Sequence, residues 1–271
     1  MKQNNILSLL PVATIILLAA TTLLLPGSGI AADLEREQRL AEQTIDAIFD
    51  GEPVMLHAGG RDFLGIFMNA EGMPERGAAI ILHGRGTHPD WEQVAGPLRT
   101  ALPADGWTTL SLQMPVLEKD ATYYDYLPVF PEAMPRIDAG IRYLRERGAA
   151  RVVIIAHSCS VHMSMAWLEQ HGDADIDAYI GIGMGATDYR QQMPEPFPFE
   201  RIRVPLLNVY GGNVYPAVRQ QAKQLTTLLP DMHPASGQRQ IPGADHYFEG
   251  YHEELVSAIS SWLNSLPEPA N

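Results

Sequence analysis

Five short apolar runs separated by helix-length segments constrain this chain more than any other feature of it. Residues 78–82 and 152–156 are continuous in apolar side chains rather than alternating, the pattern of strands buried on both faces. The further expected strands are 178–183, 107–112 and 205–210, the last two interrupted by Thr108, Thr109, Ser111 and Asn208. Helical spacing follows over 91–101, 133–147, 160–171, 216–229 and 249–266. Strands alternating with helices of this length predict an α/β fold, a mostly parallel sheet with helices on both faces. An amphipathic helix over 34–49 precedes the alternation. So do two extended segments, 53–57 and 62–68, joined at Gly59-Gly60 as a hairpin, and a last short strand is expected at 238–241.

Residues 1–32 follow a different rule. Lys2 is followed by an apolar run from Ile6 to Leu25, then by Pro26-Gly27-Ser28-Gly29 and Ile30-Ala31-Ala32. That is the three-part layout of a secretory signal with cleavage near Ala31 or Ala32, leaving one domain over 33–271. The alternative is an uncleaved inner-membrane anchor, because about 20 apolar residues span a bilayer. Cleaved, the domain is expected in the periplasm or outside the cell with no span in the mature chain; uncleaved, it is expected to be anchored in the inner membrane. Export usually invites disulfides, yet Cys159 is the only cysteine, so the fold has no internal disulfide. Without Lys2 the mature chain keeps 18 of its 19 basic residues against all 32 acidic ones. A surface of that sign argues against nucleic acid as a partner.

In a parallel sheet the reactive loops gather at the carboxyl ends of the strands. His83-Gly84, Ser158, Asp188, Asn213 and His246 all fall there. Ser158 sits in Ala156-His157-Ser158-Cys159-Ser160, between an apolar run and a helix. A serine on such a turn has an exposed hydroxyl and the positive potential of a helix N-terminus beneath it. The familiar form of this turn has glycine at its first and last positions. Here Ala156 and Ser160 stand there, the next smallest choices. A serine nucleophile also needs a base and an oxyanion site. His246, in Gly243-Ala244-Asp245-His246, is the base candidate, and the backbone N–H groups of Arg85 and Cys159 are the oxyanion donors.

From about Glu35 onward the chain resembles the α/β-hydrolase superfamily. More narrowly it is similar to an exported bacterial family of uncharacterised hydrolase-like proteins, DUF3530. The residues carrying the likeness are Leu82-His83-Gly84-Arg85-Gly86, His88-Pro89-Asp90-Trp91, Gly96-Pro97-Leu98, Gly106-Trp107, Phe130-Pro131-Glu132-Ala133, Ala156-His157-Ser158 and Gly243-Ala244-Asp245-His246. The resemblance implies an α/β-hydrolase fold, a Ser158 nucleophile and a His246 base. The superfamily's acid commonly follows the strand that corresponds to 205–210, and Val214 occupies that place. Some related hydrolases take the acid from the preceding strand's end, where this chain has Asp188. Asp188 is therefore the expected orienter of His246, within hydrogen-bond reach of its ring.

His157, Cys159 and His162 lie close in sequence, but on a strand, turn and helix they diverge and match no zinc spacing, so no metal site is expected. Cys159 beside a better-placed serine reads as a small buried filler, and Asp245 as a turn former. Two long connections, 113–132 and 187–200, suit either function or surface packing. These readings converge on a serine hydrolase that acts on a small-molecule ester or other acyl substrate without a cofactor. The competing reading is a non-catalytic binding or envelope-assembly protein with an incomplete triad. Neither substrate nor oligomeric state is legible.

Overall fold

The apolar runs become the middle of one eight-stranded sheet in the computed structural model, which describes residues 32–72 and 75–267. The expected signal segment, residues 1–31, lies outside the described residues. The strands are β1 Glu52–Ala58, β2 Arg61–Met68, β3 Gly77–Leu82, β4 Trp107–Leu112, β5 Val152–His157, β6 Ala178–Ile182, β7 Leu206–Gly211 and β8 Gly237–Ile241. Their order is β1-β2-β4-β3-β5-β6-β7-β8. β1, β2 and β4 pair antiparallel, and every later pairing is parallel.

Every residue of β3, β4, β5 and β6 is buried, as unalternating apolar runs require. β1 and β8 sit at the edges, and each has a single buried residue, Leu56 and Ile241. The helices are α1 Leu34–Ala47, α2 Ala95–Ala101, α3 Tyr123–Tyr126, α4 Phe130–Glu146, α5 Cys159–His171, α6 Pro216–Leu228 and α7 His252–Ser265. One core packs α4 and α5 on the sheet through Ile137, Leu144, Met165 and Trp167. The opposite core packs α2 and α7 through Leu98, Trp107, Ile259 and Leu263. Together the two cores bury both faces, and hydrophobic burial of this kind supplies the main favourable contribution to folding. No helix among the described residues is long and apolar enough to cross a membrane.

Several boundaries differ from the sequence reading. The helix expected at 91–101 begins only at Ala95, because Pro97 has no N–H and its ring excludes a preceding helical carbonyl, so the chain turns first. The helix expected from 133 starts at Phe130, where Pro131 fits the first turn. Connection 113–132 contains α3, capped by the reciprocal bonds of Thr122 and Asp125. The N-terminal helix is docked by a buried ion pair, Arg136 to Glu37 at 2.8 Å.

The chain leaves β3 for β4 on one side and returns to β5 on the other. The crevice outside the carboxyl ends of β3 and β5 is therefore the natural ligand position. Leu82 pairs with Ala156 across these neighbours, so the loops at Gly84 and Ser158 open at one height.

Candidate active site

Ser158 has φ 56° and ψ −116°, a conformation that residues other than glycine rarely adopt. The turn holds it there: its N–H donates to the Ile182 carbonyl at 2.9 Å, and α5 starts at the next residue. The hydroxyl is thereby raised above a helix N-terminus. Neither missing glycine prevents this. Ala156 is fully buried, and Ser160 uses its extra atoms to donate a hydrogen bond to the His83 carbonyl, tying α5 to the loop after β3. At Gly84 a side chain could not fit, since a Cβ would lie 2.9 Å from His157 Nδ1.

The loop between β8 and α7 brings His246 onto this serine, with Nε2 2.8 Å from Ser158 Oγ. Asp245 shapes that loop by accepting from the N–H groups of Tyr247 and Glu249. The loop after β7 braces it, through the Asn213 N–H donating to the Ala244 carbonyl at 2.8 Å. His246 is 4% exposed. Burial, reinforced by the nearby His157 ring and Arg85 guanidinium, lowers its pKa well below the ordinary histidine range, so it is neutral. Its other nitrogen, Nδ1, is buried and has no hydrogen-bond partner among the described residues. Gly183 backs this edge of the ring: its φ is +67°, and a Cβ there would lie 2.7 Å from His246 Cε1.

The expected orienter is elsewhere. Asp188 accepts from Arg85 Nη1 at 2.5 Å and Nη2 at 2.8 Å, and from the Tyr123 N–H at 2.6 Å. The Arg85 hydrogen bonds hold its carboxyl below the usual carboxylate range. A two-pronged ion pair is stronger than one bond to a neutral imidazole, which is why Asp188 turns to Arg85 rather than to His246. At the superfamily's usual acid position Val214 is buried and packs with Ala186 and Val218. With no acceptor at Nδ1, the tautomer that carries its proton on Nε2 makes the better set of bonds, donating to Ser158 Oγ. A general base needs the opposite tautomer.

The loop after β3, expected to supply an oxyanion donor, is held by several hydrogen bonds. The Gly84 carbonyl accepts from His83 Nδ1 at 2.8 Å and from Thr87 Oγ1 at 2.9 Å. His83 Nε2 in turn accepts from the Met114 N–H at 2.9 Å. Across a trans peptide the Arg85 N–H points opposite to that carbonyl. Cys159 stands at the first position of α5, where an N–H has no intrahelical acceptor. Burial pushes the Cys159 thiol up to about 12, out of the nucleophilic range.

His157 and His162 diverge. His157 Nε2 donates to the His246 carbonyl at 3.1 Å, while His162 Nε2 donates to the Ala186 carbonyl at 2.9 Å. No group of three such side chains converges on a metal position among the described residues. Sequence reasoning passed over Tyr215 and Tyr247, whose rings stand 4.8 and 5.2 Å from that of His246. Their adjacency to Val214 and to His246 was the available signal. Arg85, His157, Asp188, Tyr215, His246 and Tyr247 border one cleft of ≈ 50 Å³ with Ser158 in it.

A strained serine after the fifth strand, a histidine on it from the last loop, and a mostly parallel sheet beneath them match a known architecture. The chain has the α/β-hydrolase fold. Residues 21–127 match the family described as "Protein of unknown function (DUF3530)", a stretch that ends before Ser158. Among solved structures, this hydrolase fold is similar to a dienelactone hydrolase from Anabaena variabilis. The TM-score is 0.62 at 16% identity, covering 79% of this chain and 97% of that one. It is also similar to XC6422 of Xanthomonas campestris, described as an α/β serine hydrolase without lid, with TM-score 0.60 at 13% identity over 83% and 98% of the two chains. An α/β serine hydrolase homologue from Coxiella burnetii matches at TM-score 0.59 and 15% identity, over 81% and 99%. No curated protein matches the chain. At these identities the likeness is one of fold.

Proposed function

We propose that the protein is a serine hydrolase acting on a small-molecule ester or other acyl substrate. The observation that carries the reading is the 2.8 Å contact between His246 Nε2 and the Oγ of a serine held at φ 56°. In this mechanism His246 shifts to the less favoured tautomer with Nε2 unprotonated, and Ser158 then attacks the acyl carbon while Nε2 takes its proton and returns it to the leaving group. The Arg85 and Cys159 N–H groups hold the oxyanion. Asp188 has no part in the proton transfer. A dyad without its acid forgoes a contribution on the order of 10⁴ in turnover, measured in a serine protease, so chemistry is slow but present.

Incubation with a fluorophosphonate probe tests this. Labelling is expected on the folded protein and absent from Ser158→Ala. If the folded protein shows no Ser158-dependent labelling, the second reading stands instead: a binding or envelope-assembly protein. That reading is favoured by one observation, the partnerless Nδ1 of His246.

The same proposal places the protein in the periplasm or outside the cell after cleavage near Ala31. Ala32 is buried, and its nitrogen donates to Glu132 Oε1 at 3.1 Å, so cleavage just before it would set a new ammonium group on a carboxylate. N-terminal sequencing of the protein from its native host tests this, with Ala32 as the expected first residue and an intact leader as the contrary result.

A further inference from the structure

The two long connections meet over the nucleophile. Tyr123 of α3 donates its N–H to Asp188, and the next residue, Tyr124, repeats the link: its N–H donates to Gln191 Oε1 at 3.0 Å and its hydroxyl accepts from the Gln192 N–H at 3.0 Å. Arg85, from the oxyanion loop, grips the same Asp188. Tyr123 is fixed from behind as well. Its ring packs 4.8 Å from that of His162, and its hydroxyl lies 3.4 Å from His162 Nδ1. Since His162 Nε2 already donates to Ala186, Nδ1 is the acceptor and the tyrosine hydroxyl the donor. A buried aromatic ring tied at both ends is a stiff wall, and it borders the cleft that contains Ser158.

Resting on the hydrolase reading, we infer that this clasp limits the acyl side of the substrate to short chains, acetyl to butanoyl. The directions within the cleft assign the sides. The carbonyl oxygen faces the Arg85 and Cys159 N–H groups, and the leaving group must lie by His246, which returns its proton. That side is flanked by Tyr215 and Tyr247, 42% and 40% exposed, and opens to solvent. The acyl chain takes the remaining direction, against Tyr123 and Asp188. The cleft holds ≈ 50 Å³. Because Tyr215, His246 and Tyr247 border the same cleft, the acyl chain has only part of that volume, which admits a short chain and excludes a long one. The alcohol is left unrestricted in size.

The test is hydrolysis of p-nitrophenyl esters from acetate to octanoate by the purified protein, with Ser158→Ala as the blank. Expected is kcat/KM at least tenfold lower for octanoate than for acetate or butanoate. Tyr123→Ala should raise the octanoate-to-acetate ratio at least tenfold, whereas Tyr123→Phe, which keeps the ring, should leave the ratio within about twofold. If Tyr123→Ala does not fold, Tyr123→Leu supplies the shortened wall. Ser158-dependent turnover that is flat or rises with chain length overturns the inference, as does a ratio unmoved by shortening Tyr123, and both leave the hydrolase reading intact. Absence of both fluorophosphonate labelling and ester turnover overturns the two together.

Discussion

Asp188 meets Arg85 through both carboxylate oxygens, at 2.5 and 2.8 Å, and so leaves His246 with a buried nitrogen that has no hydrogen-bond partner among the described residues. A carboxylate expected to arm the histidine instead ties its own loop to the loop after β3.

Asp188→Asn therefore has a small effect on the chemical step. An orienting acid lost from a triad lowers kcat by about 10⁴. Here kcat on acetate esters is expected to fall less than tenfold, with the larger change in KM as the clasp loosens. Steady-state kinetics of the variant distinguish the two, and a loss near 10⁴ would restore Asp188 to the acid's role.

Val214→Asp adds a carboxylate at the position where related hydrolases carry one, beside Tyr215, whose ring is 4.8 Å from His246. It is expected to raise kcat at least tenfold, while Val214→Asn, of the same shape without the charge, does not. Burying the new group lowers stability by on the order of 2 kcal/mol. Equal kcat in the two variants would show that the missing acid does not limit turnover.

His246 must be neutral to act as base, and burial lowers its pKa well below the ordinary histidine value. The acid limb of kcat/KM is therefore expected below the ordinary histidine value of about 6.5, with a flat rate from there to about pH 8. An acid midpoint at 6.5 or above, measured where the protein remains folded, would contradict the burial of this ring.

Three more histidines are buried and neutral: burial takes His83 down to about 3 and His157 and His162 down to about 4. In the unfolded chain each titrates near 6.5, so between that value and 4 the unfolded state binds more protons than the folded one. Stability is complete above about pH 6.5 and is lost as pH falls toward 4. The loss is on the order of 1 kcal/mol for each histidine per pH unit. Denaturant midpoints measured at pH 7.5, 6 and 5 should fall in that order, and a midpoint that held to pH 5 would be inconsistent with three uncharged rings.

The sheet was legible because its signal is local. Continuous apolar runs at 78–82 and 152–156 can be satisfied only by burial on both faces, and such runs become β3 and β5 wherever the rest of the chain goes. Ser158 and His246 were legible for a related reason: Ser158 sits where β5 hands over to α5 and His246 in the loop that follows β8, and the parallel arrangement brings those strand ends to one edge. Helix starts were less so, because Pro97 and Pro131 both sit in the first turns of their helices, and which residues form that first turn depends on the packing around them.

Sequence by itself thus determined the layers of the fold and the pair at its centre. Only the tertiary structure decided what Asp188 does. Its partners, Arg85 and Tyr123, lie 103 and 65 residues away, and which of several charged or polar groups a carboxylate meets depends on distances no local pattern encodes. The same holds for the clasp of Tyr124 on Gln191 and Gln192, which turned two unremarkable loops into one wall of the cleft. Burial follows from composition along a segment, whereas pairing follows from the packing of segments on one another.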